Sequence, residues 1–219
     1  MSDDGFWIEA PVLAESECAE IIRAISDRSS SRAGLRHLMS NSTVASVARD
    51  QRLLTIAQRA VGAEAVPFRA TLFEKSAERN WLIAWHQDTA LPMSCKFELA
   101  GWGPWSTKMG VHYSHAPSWA LSRVIALRLH LDESTEGNGP LRVISGSHGL
   151  GVLDDGRVTE YVHAHPQMLC PVPRGGVLAM RPLLIHASSK AVSATPRRVL
   201  HIEYADSLDL GPGIRLAVA

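Results

Sequence analysis

From residue 66 onward the chain is cut into short runs rich in aliphatic and β-branched residues: VPFRATLFEK, WLIAWHQD, SRVIALRLHLD, PLRVI, GGVLAM, LLIHAS and RRVLHIEYA, with Gly and Pro between them. Runs of this length and spacing read as the strands of a barrel or sandwich. Two helical patterns precede them. In ESECAEIIRAISDR, Cys18, Ile21, Ile22 and Ile25 recur at i, i+3, i+4 and i+7, the face of an amphipathic helix capped by Glu15 or Ser16. RDQRLLTIAQRAVG predicts a second helix, with Asp50 as N-cap and Gly62 just past its end. The stretch between them, SSSRAGLRHLMSNSTVAS, is polar and reads as loop. Helices followed by many short strands predict a mainly β fold, a barrel or a cupin-like jelly roll, with the N-terminal helices packed on it. The expected organisation is one domain over 1–219, helical to about 65, with a core over about 66–206 and an insertion at about 89–122.

Strand periodicity in SRVIALRLHLD puts Ile125, Leu127, Leu129 and Leu131 on one face and Ala126, Arg128 and His130 on the other. The polar face either lines a cavity or meets solvent. The insertion carries Trp102, Trp105, His112, Tyr113, His115 and Trp119, with Gly101, Gly103, Pro104 and Gly110 to bend it. A structureless connection of that length is a candidate lid over a pocket, or else a flap packing its own aromatics.

Charge narrows the choice of partner. The 22 basic and 22 acidic residues cancel, and no run of Lys or Arg offers nucleic acid or an anionic membrane a footprint. Cys18, Cys95 and Cys170 lack disulfide or metal spacing and read as free thiols of a reducing compartment. The acidic N-terminus has no signal-peptide pattern, and no apolar run reaches the length of a membrane span. A soluble cytoplasmic protein acting on a small molecule is expected; the oligomeric state stays open, a monomer included.

In IAWHQDTALPM, His86 and Asp88 stand two apart, and alternate strand residues share a face. A lone H-x-D is common by chance, so a third ligand is needed. His186, after the apolar LLI, is placed to supply it. Two histidines and a carboxylate on one face of a metal are the set used by non-heme Fe(II) oxygenases, although an open position also suits zinc. Ser188 and Arg197 follow His186. A guanidinium takes a carboxylate bidentately and a hydroxyl adds a hydrogen bond, so the combination suits a dicarboxylate cosubstrate such as 2-oxoglutarate. Arg198 is the rival to Arg197, since adjacent strand residues face opposite ways.

Three separated segments, WHQD at 85–88, NGPLRVISGSHG at 138–149 and HASSKAVSATPRR at 186–198, together resemble the phytanoyl-CoA dioxygenase family of Fe(II)- and 2-oxoglutarate-dependent oxygenases. The likeness extends to the opening GFWIEAPVLAESE; Ser145 stands where the family usually has proline. The resemblance implies a double-stranded β-helix core, with His86, Asp88 and His186 as iron ligands, Arg197 on the far carboxylate of 2-oxoglutarate and Ser188 supporting it. Gln87, in the middle of the family's HQD form, is expected to touch the cosubstrate; Lys75 either adds positive charge near the pocket or is a solvated strand-end lysine. His148 reads as a structural hydrogen-bonding residue, and His163, His165 and His201 lack partners at metal spacing.

The implied reaction consumes 2-oxoglutarate and O2, releases succinate and CO2, and hydroxylates an unactivated C–H bond, with the Trp-rich insertion keeping water out. Related halogenases carry a small residue in place of the carboxylate, so Asp88 argues for hydroxylation; desaturation, epoxidation and cyclisation stay open. No CoA-binding surface is evident, which points to a small metabolite such as an amino-acid derivative or natural-product intermediate. Two other classes remain: a non-redox metalloenzyme of cupin type, and a non-catalytic jelly-roll binding protein.

Overall fold

A computed structural model describes residues 4–26, 34–76 and 79–219. A short strand β1 (Phe6–Glu9) and three helices, α1 (Glu15–Ser26), α2 (Ser42–Ala48) and α3 (Gln51–Val61), precede the long strand β2 (Val66–Lys75). Strand β3 (Ile83–His86) leads into the insertion, which holds β4 (Ala90–Met93), β5 (Trp105–Lys108), β6 (Val111–His115) and one helical turn, α4 (Ser118–Leu121). Then come β7 (Val124–His130), β8 (Leu141–Val143), helix α5 (Asp155–Ala164), β9 (Met168–Cys170), β10 (Val177–Met180), β11 (His186–Ser188) and β12 (Arg197–Ala205).

These strands form two antiparallel sheets, ordered β1-β10-β7-β12-β2 and β3-β11-β8-β9, so the expected jelly roll is met. The larger sheet has two unlike faces because its side chains alternate. Ile125, Leu127, Leu129, Leu200, Ile202 and Tyr204 face the helices, packing with Cys18, Ile21, Ile25, Leu53 and Ile56 in one buried cluster. Each such aliphatic side chain removed from water contributes about 1.5–3 kcal/mol before entropy is counted. Tyr204 adds a polar tie, its hydroxyl donating to the Ala48 carbonyl at 2.9 Å.

The opposite face carries charge. Register places Arg197 opposite Lys75, His201 opposite Thr71 and Arg128, and Val199 opposite Phe73 and His130. All of Lys75, Arg128, His130, Arg197, His201 and Glu203 are buried. The polar face of β7 therefore lines the space between the sheets and does not meet solvent.

Helix α3 follows the sequence expectation, with the Asp50 carboxylate accepting from Arg52 N. In α1 the cap differs, because the Glu17 carboxylate reaches back to the Ala14 N–H at 2.7 Å. The expected last residues of that helix lie outside the described residues. Two helices were not expected. Helix α2 arises within the polar stretch because Asn41 caps it, accepting from Val44 N at 3.1 Å, and its Val44 and Ala48 are buried. Helix α5, capped by Asp154, lays Val158 and Val162 against Ile144 and Ile185. The insertion is not a structureless loop: β4, β6 and β5 pair as a three-stranded sheet.

Within the glycine-bounded motif, Ser147 pins the smaller sheet. Its hydroxyl donates to Ile144 O at 2.7 Å and accepts from Ile185 N at 2.8 Å, while Ile144 N donates to Ile185 O at 3.0 Å. Ser145, at the usual proline position, donates instead to the Asp4 carboxylate. Replacing Ser147 by Ala leaves the buried Ile185 N–H without its acceptor, an expected loss of about 1–3 kcal/mol. Urea unfolding of Ser147→Ala checks this; an unchanged midpoint would mean that the pin contributes nothing.

Candidate active site

Strand pairing brings the two distant histidines together. His86 and His186 are directly opposed across β3 and β11, with ring centroids 4.2 Å apart. Asp88 is not on the strand, which ends at His86; it lies in the following turn, its backbone N–H donating to Pro182 O at 2.8 Å. That anchor delivers its carboxylate to both rings, 3.7 Å from His86 Nε2 and 3.6 Å from His186 Nε2. One ligand atom from each of the three lies within 4.8 Å of the others.

Both imidazoles are set as ligands. His86 Nδ1 lies 2.8 Å from Ala84 O, and His186 Nδ1 lies 2.8 Å from Leu184 O. A carbonyl only accepts, so each Nδ1 carries the proton and each Nε2 offers a lone pair to the shared space. Burial pushes His186 down to about 3, against the pull of Asp88. Burial would raise Asp88, but the facing His186 and His86 hold it well below the usual carboxylate range. Neither group need lose a proton at neutral pH to bind a metal.

Behind the triad lies a cationic cradle. The Ser188 hydroxyl donates to Gly139 O at 2.8 Å and accepts from Lys75 Nζ at 2.7 Å and from Arg197 Nη2 at 3.4 Å. Lys75 also donates to Ser189 O. It is 1% exposed, so it is not the solvated strand-end lysine that its residue type favours. Burial, followed by the charges of Arg197 and Arg128, brings Lys75 down to about 7; burial and then Arg128 bring Arg197 to about 9. Nε and Nη1 of Arg197 have no protein partner. Buried, unpaired guanidinium donors suit a carboxylate, so the residues fit one end of 2-oxoglutarate. The Asn-Gly of the middle motif is part of this cradle. Gly139 has φ +71°, and a Cβ there would come within 2.5 Å of Ser189 O and 3.0 Å of Lys75 Nζ. Asn138, fully buried, holds the turn by accepting from Thr135 N and donating to Glu133 O.

An open cavity of about 370 Å³ reaches the triad, lined among others by Thr71, Phe73, Trp81, Arg128 and Leu141. Gln87 is among the residues lining it, but its amide is engaged elsewhere. Its amide donates to Gly151 O and Leu183 O and accepts from Leu153 N, so its hydrogen-bonding groups tie loops together. Arg198 is turned outward, in a two-point contact with Asp132. The tryptophans of the insertion also face elsewhere: Trp102 and Trp105 meet Phe97 edge-on, and Trp102 meets Trp119. The insertion contributes Thr89, Ala90, Lys108 and His115 to the cavity instead.

A buried chain beneath the cavity was missed from sequence. Arg128 Nη1 lies 3.2 Å from His201 Nδ1, His201 Nε2 lies 3.2 Å from Glu203, and Glu203 pairs with Arg69, which also donates to Ala90 O at 3.0 Å. The period-two series Arg197, Val199, His201, Glu203 in RRVLHIEYA was the signal that could have found it.

The sequence profile of the family described as Phytanoyl-CoA dioxygenase (PhyH) matches residues 2–199. L-proline trans-4-hydroxylase of Streptomyces griseoviridis is 25% identical, the match covering 69% of this chain. This chain covers 59% of that protein's length, less than two thirds. Among solved structures, the apoform of EctD from S. alaskensis matches with a TM-score of 0.69 at 21% identity, covering 93% of this chain and 73% of that one. The epimerase SnoN in complex with Fe3+, alpha ketoglutarate and nogalamycin RO matches with a TM-score of 0.72 at 17% identity, covering 94% and 80%. AviO1 from Streptomyces viridochromogenes Tue57 matches with a TM-score of 0.64 at 22% identity, covering 98% and 93%. These likenesses show the fold. Among the described residues, no helix is long and apolar enough to cross a membrane.

Because Lys75 sits near 7, binding a dianion beside it makes Lys75 take back the proton that the free protein loses above that pH. Affinity for 2-oxoglutarate, measured by calorimetry on the Mn(II)-loaded protein, is expected to fall as pH rises through about 7. Lys75→Met is expected to weaken binding on the acid side and flatten the profile; a profile as steep as that of the unaltered protein would remove Lys75 from the cradle.

Proposed function

The chain belongs to the phytanoyl-CoA dioxygenase family of Fe(II)- and 2-oxoglutarate-dependent oxygenases, and from that premise we propose that it hydroxylates an unactivated C–H bond of a small-molecule metabolite. The observation that carries this reading is Arg197, 2% exposed, with two guanidinium nitrogens unpartnered on the interior face that leads to the His86, Asp88 and His186 triad. A structural arginine so placed would find a carboxylate; this one finds Ser188 and other cations. The non-redox metalloenzyme gives that cradle no role, and the binding protein gives the triad none.

In this reading Nε2 of His86, Nε2 of His186 and the Asp88 carboxylate would hold Fe(II). Iron with 2-oxoglutarate and O2 supplies a two-electron oxidation of a nearby C–H bond, with succinate and CO2 released. The chain's own work is placement. Arg197, Ser188 and Lys75 hold the far carboxylate, and the carbonyls of Ala84 and Leu184 fix the imidazoles. Asp88 stands where related halogenases carry a small residue, which supports hydroxylation; the SnoN structure, described as an epimerase, keeps epimerisation as an alternative outcome. The proline hydroxylase relative supports a small-molecule substrate.

With Fe(II), 2-oxoglutarate and oxygen supplied, Asp88→Ala is expected to reduce succinate release to background; normal release would sink the metal assignment. Arg197→Ala is expected to weaken 2-oxoglutarate binding by about 2–5 kcal/mol, as for other buried charge partners. Arg198→Ala should leave binding unchanged, and the reverse ranking of the two arginines would move the carboxylate site.

A further inference from the structure

The cavity above the triad is more positive than its metal and cosubstrate require. Its lining holds Arg36, Arg69, Lys108 and Arg128 against a single carboxylate among the described residues, Asp88. Fe(II) and the 2-oxoglutarate dianion cancel each other in charge, so their binding leaves this excess in place. Two of the four cations have a side-chain partner. Arg69 is paired with Glu203 and Arg128 bonds His201, while the one carboxylate, Asp88, acts on both Arg128 and Lys108 without forming an ion pair with either. Neither Arg36 nor Lys108 has a carboxylate within ion-pair distance among the described residues.

The chain places these two deliberately. Gly34, at φ +95°, lets the backbone press onto β2 where a Cβ would come within 2.0 Å of Leu72 O, and Leu35 then pairs with Leu72. Arg36 is thereby carried over the cavity mouth. His37 Nε2 meets the Tyr113 hydroxyl at 2.9 Å, joining that segment to the insertion, and Lys108 Nζ sits 4.9 Å from the Tyr113 ring centroid. Burial, with the charges of Arg36 and Arg69, lowers the Lys108 ammonium from its ordinary value against the weaker pull of Asp88. Cations converging from two separate segments on one half-buried mouth repel one another and focus a field that draws in an anion.

We propose that the substrate is a small organic anion, a carboxylate or phosphate, whose charged group docks between Arg36 and Lys108. This rests on the oxygenase reading and specifies which molecules its site accepts.

The test is anaerobic calorimetry on the protein saturated with Fe(II) and 2-oxoglutarate, using a panel of small carboxylic acids and phosphate monoesters, each alongside its neutral ester (the methyl ester of a carboxylic acid, the trialkyl ester of a phosphate). Acids are expected to bind at least about tenfold tighter than their esters, roughly 1.4 kcal/mol. The double variant Arg36→Met/Lys108→Met should erase that preference. Esters binding as tightly as acids, a preference that survives the double variant, or a panel without any acid binder each overturns the proposal. The weak visible absorption that 2-oxoglutarate gives on iron serves as the separate check. If it appears in the unaltered protein and acids still show no preference, the anion site alone is wrong; if it never appears, the oxygenase reading falls and takes this proposal with it.

Discussion

Two cations buried side by side, Lys75 and Arg197, set the terms for the interior of this molecule. Removing ammonium and guanidinium groups from water costs several kcal/mol each unless an opposite charge faces them, and among the described residues only Ser188 and backbone carbonyls do. The depression of Lys75 to about 7 expresses that cost as a proton half lost near neutrality. A fold selected for stability alone would place apolar side chains here, as it does on the opposite face of the same strands. The larger sheet therefore divides its labour by alternation, one face packing against helices and the other held polar for a ligand.

Much of this could be read before any coordinates. Strand β12 and the long β2 coincide with RRVLHIEYA and VPFRATLFEK, because unbroken period-two patterns leave little choice. The pairing of His86 with His186 could not be read, since register between strands that far apart depends on the whole sheet. Asp88 was grouped with His86 for a reason that needed amending: it reaches the same space from a turn anchored on Pro182, without help from strand alternation. Gln87 does line the cavity, but a sequence pattern does not show that its amide is already satisfied by backbone. Lys75 misled because its residue type favours exposure while its strand position demanded burial. Helices α2 and α5 escaped notice because polar sequence and short length hide an amphipathic face until a cap and a packing partner are known.

The middle motif gains a physical meaning that its letters lack. Gly139 gives backbone room where Lys75 and Ser189 crowd, Asn138 fixes the turn around it, and Ser147 locks the segment entering His186. None of the three touches the metal triad, yet each sets where a ligand or cradle residue stands. The tryptophans belong to a different story. With Phe97, Trp102 and Trp105 pack near Leu91, Met93 and Leu121, apart from the cavity, so the insertion carries its own small core and lends the site Thr89, Ala90, Lys108 and His115 from its edge.

That His86 and His186 stand 100 positions apart has a mechanical consequence. A metal gripped by both is a cross-link closing most of the jelly roll into one loop, and in the chain-entropy description a loop of that length restrains the unfolded chain by about 4–5 kcal/mol when the link persists. Coordination bonds exchange, so the clasp opens whenever the metal leaves, and the same two side chains then become ordinary neighbours on adjacent strands. The metal centre would thus serve as a removable staple between β3 and β11, the first and last strands of the smaller sheet in chain order, which pair side by side, making the tightness of the fold follow the supply of the ion.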